Sequence, residues 1–140
     1  MSYPLTDASG RMSEQEIFRH SPEIKKSGED WKKMYAQVHK LLDTNQVRGI
    51  RHGNSLFFYL IEEPKKARIF FVNADVPKNF LRNLQEFAKA MHAAGFTSVY
   101  GFTDDLPTVR AIQHLGYNAV IEDTGLHPVH HQTYKVSISV

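Results

Sequence analysis

The chain has no cysteine among its 140 residues, which excludes disulfides, zinc–thiolate centres and cysteine nucleophiles and fits a reducing compartment. Long hydrophobic runs are missing as well. The longest, Leu56 to Ile61, is far short of the roughly 20 residues that a membrane-spanning helix needs. The stretch Met1 to Asp7 has no basic segment followed by an apolar one, so no secretory signal is read there. Together these absences lead to the expectation of an intracellular protein with no membrane partner. An excess of charge of one sign is also lacking: 17 basic residues face 15 acidic ones, for a net +2. The nearest basic clusters, Arg48, Arg51 and His52, and Lys65, Lys66 and Arg68, sit beside turns and read as solvated strand ends. That argues against a nucleic-acid partner. No nucleophile elbow, phosphate-binding loop or dinucleotide fingerprint occurs.

What is present is ordinary for one globular domain: 41% hydrophobic and 23% charged residues, with nine Phe, six Tyr and one Trp. A core of that size needs no disulfide or metal staple. Residues 1–30 stand apart, because Pro4, Gly10, Pro22 and Gly28 break the pattern. Ser13-Glu14-Gln15-Glu16 reads as a capping box opening a short helix, with Ile17 and Phe18 as its apolar contribution. The expectation is an N-terminal arm over 1–30, docked on the domain or on a partner, and the domain proper over 31–140.

Within the domain, Trp31, Met34, Tyr35, Val38, Leu41 and Leu42 fall at helical spacing, which predicts an amphipathic helix over 31–43 capped by Asp30. Three strands follow, over 47–51, 56–61 and 68–72, joined by short turns as an antiparallel meander. The run from Leu56 to Ile61 has no polar face, so burial on both sides is expected. Phe80, Leu84, Phe87, Ala88 and Met91 form one stripe of a long helix over 77–94, stopped by Gly95. A strand over 97–102 comes next, then a shorter helix capped by Asp104 or Asp105, with Val109, Ile112 and Leu115 inward. Asn118 to Ile121 is a further strand, and the alternation from Thr133 to Val140 is the last. The fold class is α/β of the α+β kind, with a mixed, mostly antiparallel sheet.

Several side-chain groups offer chemistry. His127, His130 and His131, between the last two strands, are metal-ligand candidates, although a polar hairpin loop explains them and no metal is expected. Glu62, Glu63 and Asp75 at strand ends are the candidate general bases. Asp104 and Asp105 read as helix caps. Phe57, Phe58, Tyr59, Phe70 and Phe71 on adjacent strands read as core packing, with some rings left over for a partner.

The order of elements, together with the segment Asp105 to Tyr117 ending in Leu115-Gly116-Tyr117, resembles the second half of the GNAT acyltransferases over about residues 47–140. The resemblance implies an acyl-CoA site at the turn before the long helix, where glycine-rich backbone N–H groups cradle the pyrophosphate. The matching turn here is Asn73-Ala74-Asp75-Val76-Pro77-Lys78-Asn79. It has no glycine, Pro77 removes one N–H, and Asp75 is expected where the anion would sit. Val72, Ala74, Lys78 and Asn79 are the candidate cofactor-binding residues. The family's Tyr that protonates the leaving thiolate falls at Ile112, which has no proton to give. These departures resemble the short, degenerate GNAT-like proteins of tailed phages. They imply a non-catalytic, virion-associated or morphogenesis protein with no cofactor, working through contacts with other proteins or copies of itself, in the host cytoplasm or the virion. The alternative is a divergent acyl-CoA-dependent N-acetyltransferase using acetyl-CoA.

Overall fold

The computed structural model describes residues 12–127 and 131–140. Three helices come first: α1 (Glu14–His20), α2 (Pro22–Ser27) and α3 (Trp31–Asp43). Ser13 caps α1 by accepting from the Glu16 N–H, and its hydroxyl reaches back to the Glu16 carboxylate. The Ser13 cap of α1 is therefore real, but Glu14 has a different fate. It is buried and bonded to His39 of α3, which ties the two helices together. Pro22 and Gly28 do not merely interrupt the chain as the sequence suggested. Pro22 starts α2 at its first turn, where a missing N–H costs nothing, and Gly28 closes it in the left-handed conformation at φ 73°.

The meander β1 (Arg48–His52), β2 (Ser55–Glu63) and β3 (Lys66–Asn73) leads into the long α4 (Pro77–Ala93). Then come β4 (Ser98–Thr103), α5 (Leu106–His114), β5 (Val120–His127) and β6 (His131–Ser139). The six strands form one mixed sheet in the order β1-β2-β3-β4-β6-β5. Only β3 and β4 run parallel, as the long helix between them requires. The strand after α5 does not join β4, because β6 inserts between them, antiparallel to both.

Alternation along β2 divides the core in two. Phe57 and Tyr59 face α4 and α5, where Phe57 stacks on Phe87 at 4.6 Å between centroids. Leu56 and Phe58 face the other way, into a cluster with Ile17, Phe18, Ile24, Val38 and Leu42 from α1–α3. Burial of β2 on both faces holds for Leu56 to Tyr59. It fails at Leu60 and Ile61, 39% and 46% exposed, neither of which joins the two core clusters. No helix among the described residues is long and apolar enough to cross a membrane.

Candidate functional site

The ladder between β3 and β4 ends early. Lys66, Ala67 and Arg68 pair with Ser98, Val99 and Tyr100, and no pair follows. Beyond them the strands diverge, each still held on its outer side: β3 by β2 as far as Asn73, and β4 by β6 as far as Thr103. A cavity of about 100 Å³ opens in the gap. Its floor is apolar, from Phe80 and Leu84 of α4, Ile112 of α5 and Val136 and Ile138 of β6. Gly101 lies where the strands part. A Cβ there would lie 3.0 Å from the Ile69 carbonyl oxygen, so the close approach favours glycine.

The cavity's polar side chains are Glu23, Thr103 and Thr108. Glu23 is exposed as a residue yet lines the cavity, because Ile24 anchors α2 against the sheet. Loss of solvent around its carboxyl, then the charges of Asp104 and Asp105, raise its pKa from 4.5 to about 7, and Lys26 opposes the rise. Lys26 itself pairs with Asp104 at 3.2 Å. Asp105 accepts from the Thr108 hydroxyl, while its own N–H donates to Thr103 Oγ1 at 3.1 Å. So Asp105 is the helix-capping residue of α5 by position, but its side chain makes no cap bond to the helix N–H groups.

The turn before α4 differs from its sequence reading. Asp75 does not project over the helix start, where an anion would sit. Its Oδ2 accepts from the Asn54 N–H at 2.9 Å and from Asn83 Nδ2 at 2.7 Å, and its Oδ1 accepts from Asn54 Nδ2 at 3.3 Å. Asn73 Oδ1 accepts from the Asp75 N–H and from Ser55 Oγ, which completes the network. Gly53 lies against it at φ 56°, with room for no Cβ: one would meet Asn83 at 2.8 Å and Asp75 at 2.9 Å. With Asp75 drawn under the β1–β2 turn, the first turn of α4 carries no side-chain cap.

The expected site residues fall in different places. Lys78 and Asn79 lie together, exposed, in that uncapped first turn. Val72 is buried in the core beneath α1–α3, and the Ala74 N–H is spent on the Asn54 carbonyl at 3.0 Å. Glu62 accepts from the Tyr100 hydroxyl, and burial, then this bond, raises the Tyr100 pKa. Glu63 pairs in register with Lys66 at the β2–β3 turn, at the opposite end of β2 from Ser55 and Asp75. His130, and the side chains of His127 and His131, lie outside the described residues. Among those described, no group of three His, Cys, Asp or Glu side chains is placed to hold a metal. Glu23 is the residue that sequence reasoning missed. It lies in the N-terminal arm over 1–30, where the sequence marks no site residue, and only tertiary packing brings it to the cavity.

No family model and no curated protein matches the sequence. Solved structures do share its fold. A chimera of the spermidine N-acetyltransferase from Vibrio cholerae and hSSAT superposes with a TM-score of 0.57 at 14% identity, covering 92% of this chain and 94% of that one. The ribosomal-protein-alanine N-acetyltransferase from Brucella melitensis gives 0.53 at 8% identity, covering 80% of each chain. The spermidine N-acetyltransferase from Vibrio cholerae in complex with CoA and spermine gives 0.51 at 12%, covering 79% of this chain and 76% of that one. The chain thus has a GNAT-like fold. The expectation of a non-catalytic protein acting through protein contacts is corrected: the structures it resembles are N-acetyltransferases, which favours the alternative reading. The physical reason is that Asp75, expected where the anion would sit, is instead held by Asn54 and Asn83, and a cleft opens between β3 and β4.

Proposed function

We propose that this chain is a divergent acyl-CoA-dependent N-acyltransferase, with the cleft between β3 and β4 as its active site. The observation that carries the reading is the early end of the β3–β4 ladder over a cavity with one titratable carboxyl at its mouth. A thioester arm with amide groups is an extended chain, and a strand edge without a ladder partner suits such a chain. The donor set fits its pyrophosphate too. The Lys78 and Asn79 N–H groups at the uncapped start of α4, with the Lys78 ammonium, offer an anion site that Asp75 does not contest. Acyl-CoA would supply the acyl group, a C–N bond to the acceptor amine forming as the C–S bond breaks. Glu23, with its pKa near 7, is suited to take a proton from the acceptor ammonium and pass it to solvent. With Ile112 in place of a phenol, no acid in α5 serves the departing thiolate, which takes the remaining amine proton itself.

The test is release of free thiol from acetyl-CoA on adding a panel of amines. The protein has no cysteine of its own, so a thiol reagent reads the product alone. Amine-dependent thiol release that Glu23→Gln reduces supports the reading; thiol release no faster than in buffer, for every amine, ends it.

A further inference from the structure

The cavity passes through the sheet. Glu23 of α2 lines it from the face that α1–α3 cover, and Phe80, Leu84 and Ile112 of α4 and α5 line it from the other. The two sides differ in chemistry. Among the described residues that line it, the polar side chains are Glu23, Thr103 and Thr108, and both threonine hydroxyls bond to Asp105. The side toward α4 and α5 is closed by Phe80, Leu84, Ile112, Val136 and Ile138, all buried and all part of one core cluster. Apolar space without polar partners holds no ordered water. What fills it is an apolar part of a ligand.

Size sets the ligand. An apolar cavity of about 150 Å³ admits benzene, with its six carbons, so this one of about 100 Å³ has room for about four. An acetyl group has two carbons and leaves about half of that space empty, and empty space forfeits the contacts its walls could make. We infer that the apolar side of the cavity takes the tail of the transferred acyl group, and that the preferred donor is an acyl-CoA with an acyl group of about four carbons. The inference rests on the acyltransferase reading for its thioester, whereas binding of the tail does not depend on catalysis. Ile112 closes the tail's end of the cavity together with Leu84, Val136 and Ile138. A phenol at that position would bring a hydroxyl that needs a polar partner. The branched alkyl chain keeps the wall apolar, so the residue that gives no proton to the thiolate instead shapes the space for the acyl tail.

The experiment is binding of acetyl-, butanoyl-, hexanoyl- and octanoyl-CoA to the full chain without an amine, with the Ile, Leu and Val methyl signals followed by NMR. Butanoyl-CoA should bind about tenfold more tightly than acetyl-CoA, since each buried methylene adds a few-fold, and the gain should stop there. Butanoyl-CoA should also shift the methyl signals of Leu84, Ile112, Val136 and Ile138 more than acetyl-CoA does. Ile112→Phe, which fills the space, should remove the advantage of butanoyl over acetyl. Ile112→Ala, which opens it, should carry the gain on to hexanoyl-CoA. A fold merely weakened by either substitution lowers affinity for every chain length alike, so the ratio reads the pocket. If neither variant folds, the series and the methyl shifts of the parent decide. Equal affinity for acetyl- and butanoyl-CoA would overturn the inference, as would a gain that runs unbroken to octanoyl-CoA. The series is repeated with acyl-pantetheines, which lack the nucleotide. A butanoyl preference there without binding of any CoA ester, or without amine-dependent thiol release, would sink the acyltransferase reading alone. Amine-dependent thiol release with no chain-length preference would sink this inference alone.

Discussion

Asp75 accepts a 2.7 Å hydrogen bond from Asn83, eight residues further along the chain, and the bond turns its carboxylate under the β1–β2 turn. The N-cap of α4 is Val76, whose side chain has no acceptor, so the first turn of the helix carries no side-chain cap. The carboxylate that the sequence set against an anion instead anchors the turn that presents the helix start.

Replacing Asp75 with Ala should therefore damage the fold and not improve the site. The Asn54 N–H and the Asn54 and Asn83 amides each lose an acceptor in a partly buried place, and a cost of about 2–3 kcal/mol is expected. Denaturant unfolding measures it. A variant as stable as the parent that binds acetyl-CoA more tightly would show that Asp75 faces the ligand after all.

Gly53 is the partner of that network. Gly53→Ala adds a Cβ that clashes with Asn83 and Asp75 at a backbone φ of 56°. The strain alone is about 1–3 kcal/mol, so the melting temperature should fall. Gly28→Ala has open space around it and should cost less.

Gly101 tests the cleft. Gly101→Ala puts a Cβ 3.0 Å from the Ile69 carbonyl oxygen and 3.2 Å from Ile69 Cγ1, on the cavity wall. A modest loss of about 1–2 kcal/mol is expected from the crowding, together with a smaller stabilisation by acetyl-CoA than the parent shows. Undiminished stabilisation by the ligand would move the binding site elsewhere.

Glu23 makes a prediction about pH. Its folded pKa, near 7, lies above its unfolded value of 4.5. Between those values the folded chain holds the proton and the unfolded chain does not, so its contribution to stability falls as pH rises through that window. Glu23→Gln removes the dependence. Relative to the parent, the variant should gain stability from pH 4 to pH 8, as read from paired thermal melts. Acyl transfer by the parent should rise through pH 7 as the carboxylate forms. A parent and variant that respond alike to pH would contradict the assignment.

The parts of the fold legible in sequence are those whose periodicity is local. The stripe of Phe80, Leu84, Phe87 and Met91 places α4, and the alternation of Tyr134, Val136 and Ile138 places β6, because each pattern needs only its own segment. The limits of β2 burial were not legible, since Leu60 and Ile61 continue the same apolar run yet stay exposed. Nor was the insertion of β6 between β4 and β5, which is a choice of partner that no single strand encodes. The site was the least visible part. Glu23 depends on α2 docking through Ile24, and the orientation of Asp75 depends on Asn54 and Asn83. A motif is a set of residue types at fixed spacings, whereas the open site is made by two strands that part.

The measurement that bears most directly on the cleft as an acyl-CoA site is a thermal-unfolding series with increasing acetyl-CoA, set beside the same series with Gly101→Ala. At about a hundred times its dissociation constant a ligand adds roughly 2.7 kcal/mol, enough to raise the midpoint by several degrees. The account predicts a saturable rise in the parent that Gly101→Ala diminishes. No rise in the parent at millimolar acetyl-CoA would contradict it.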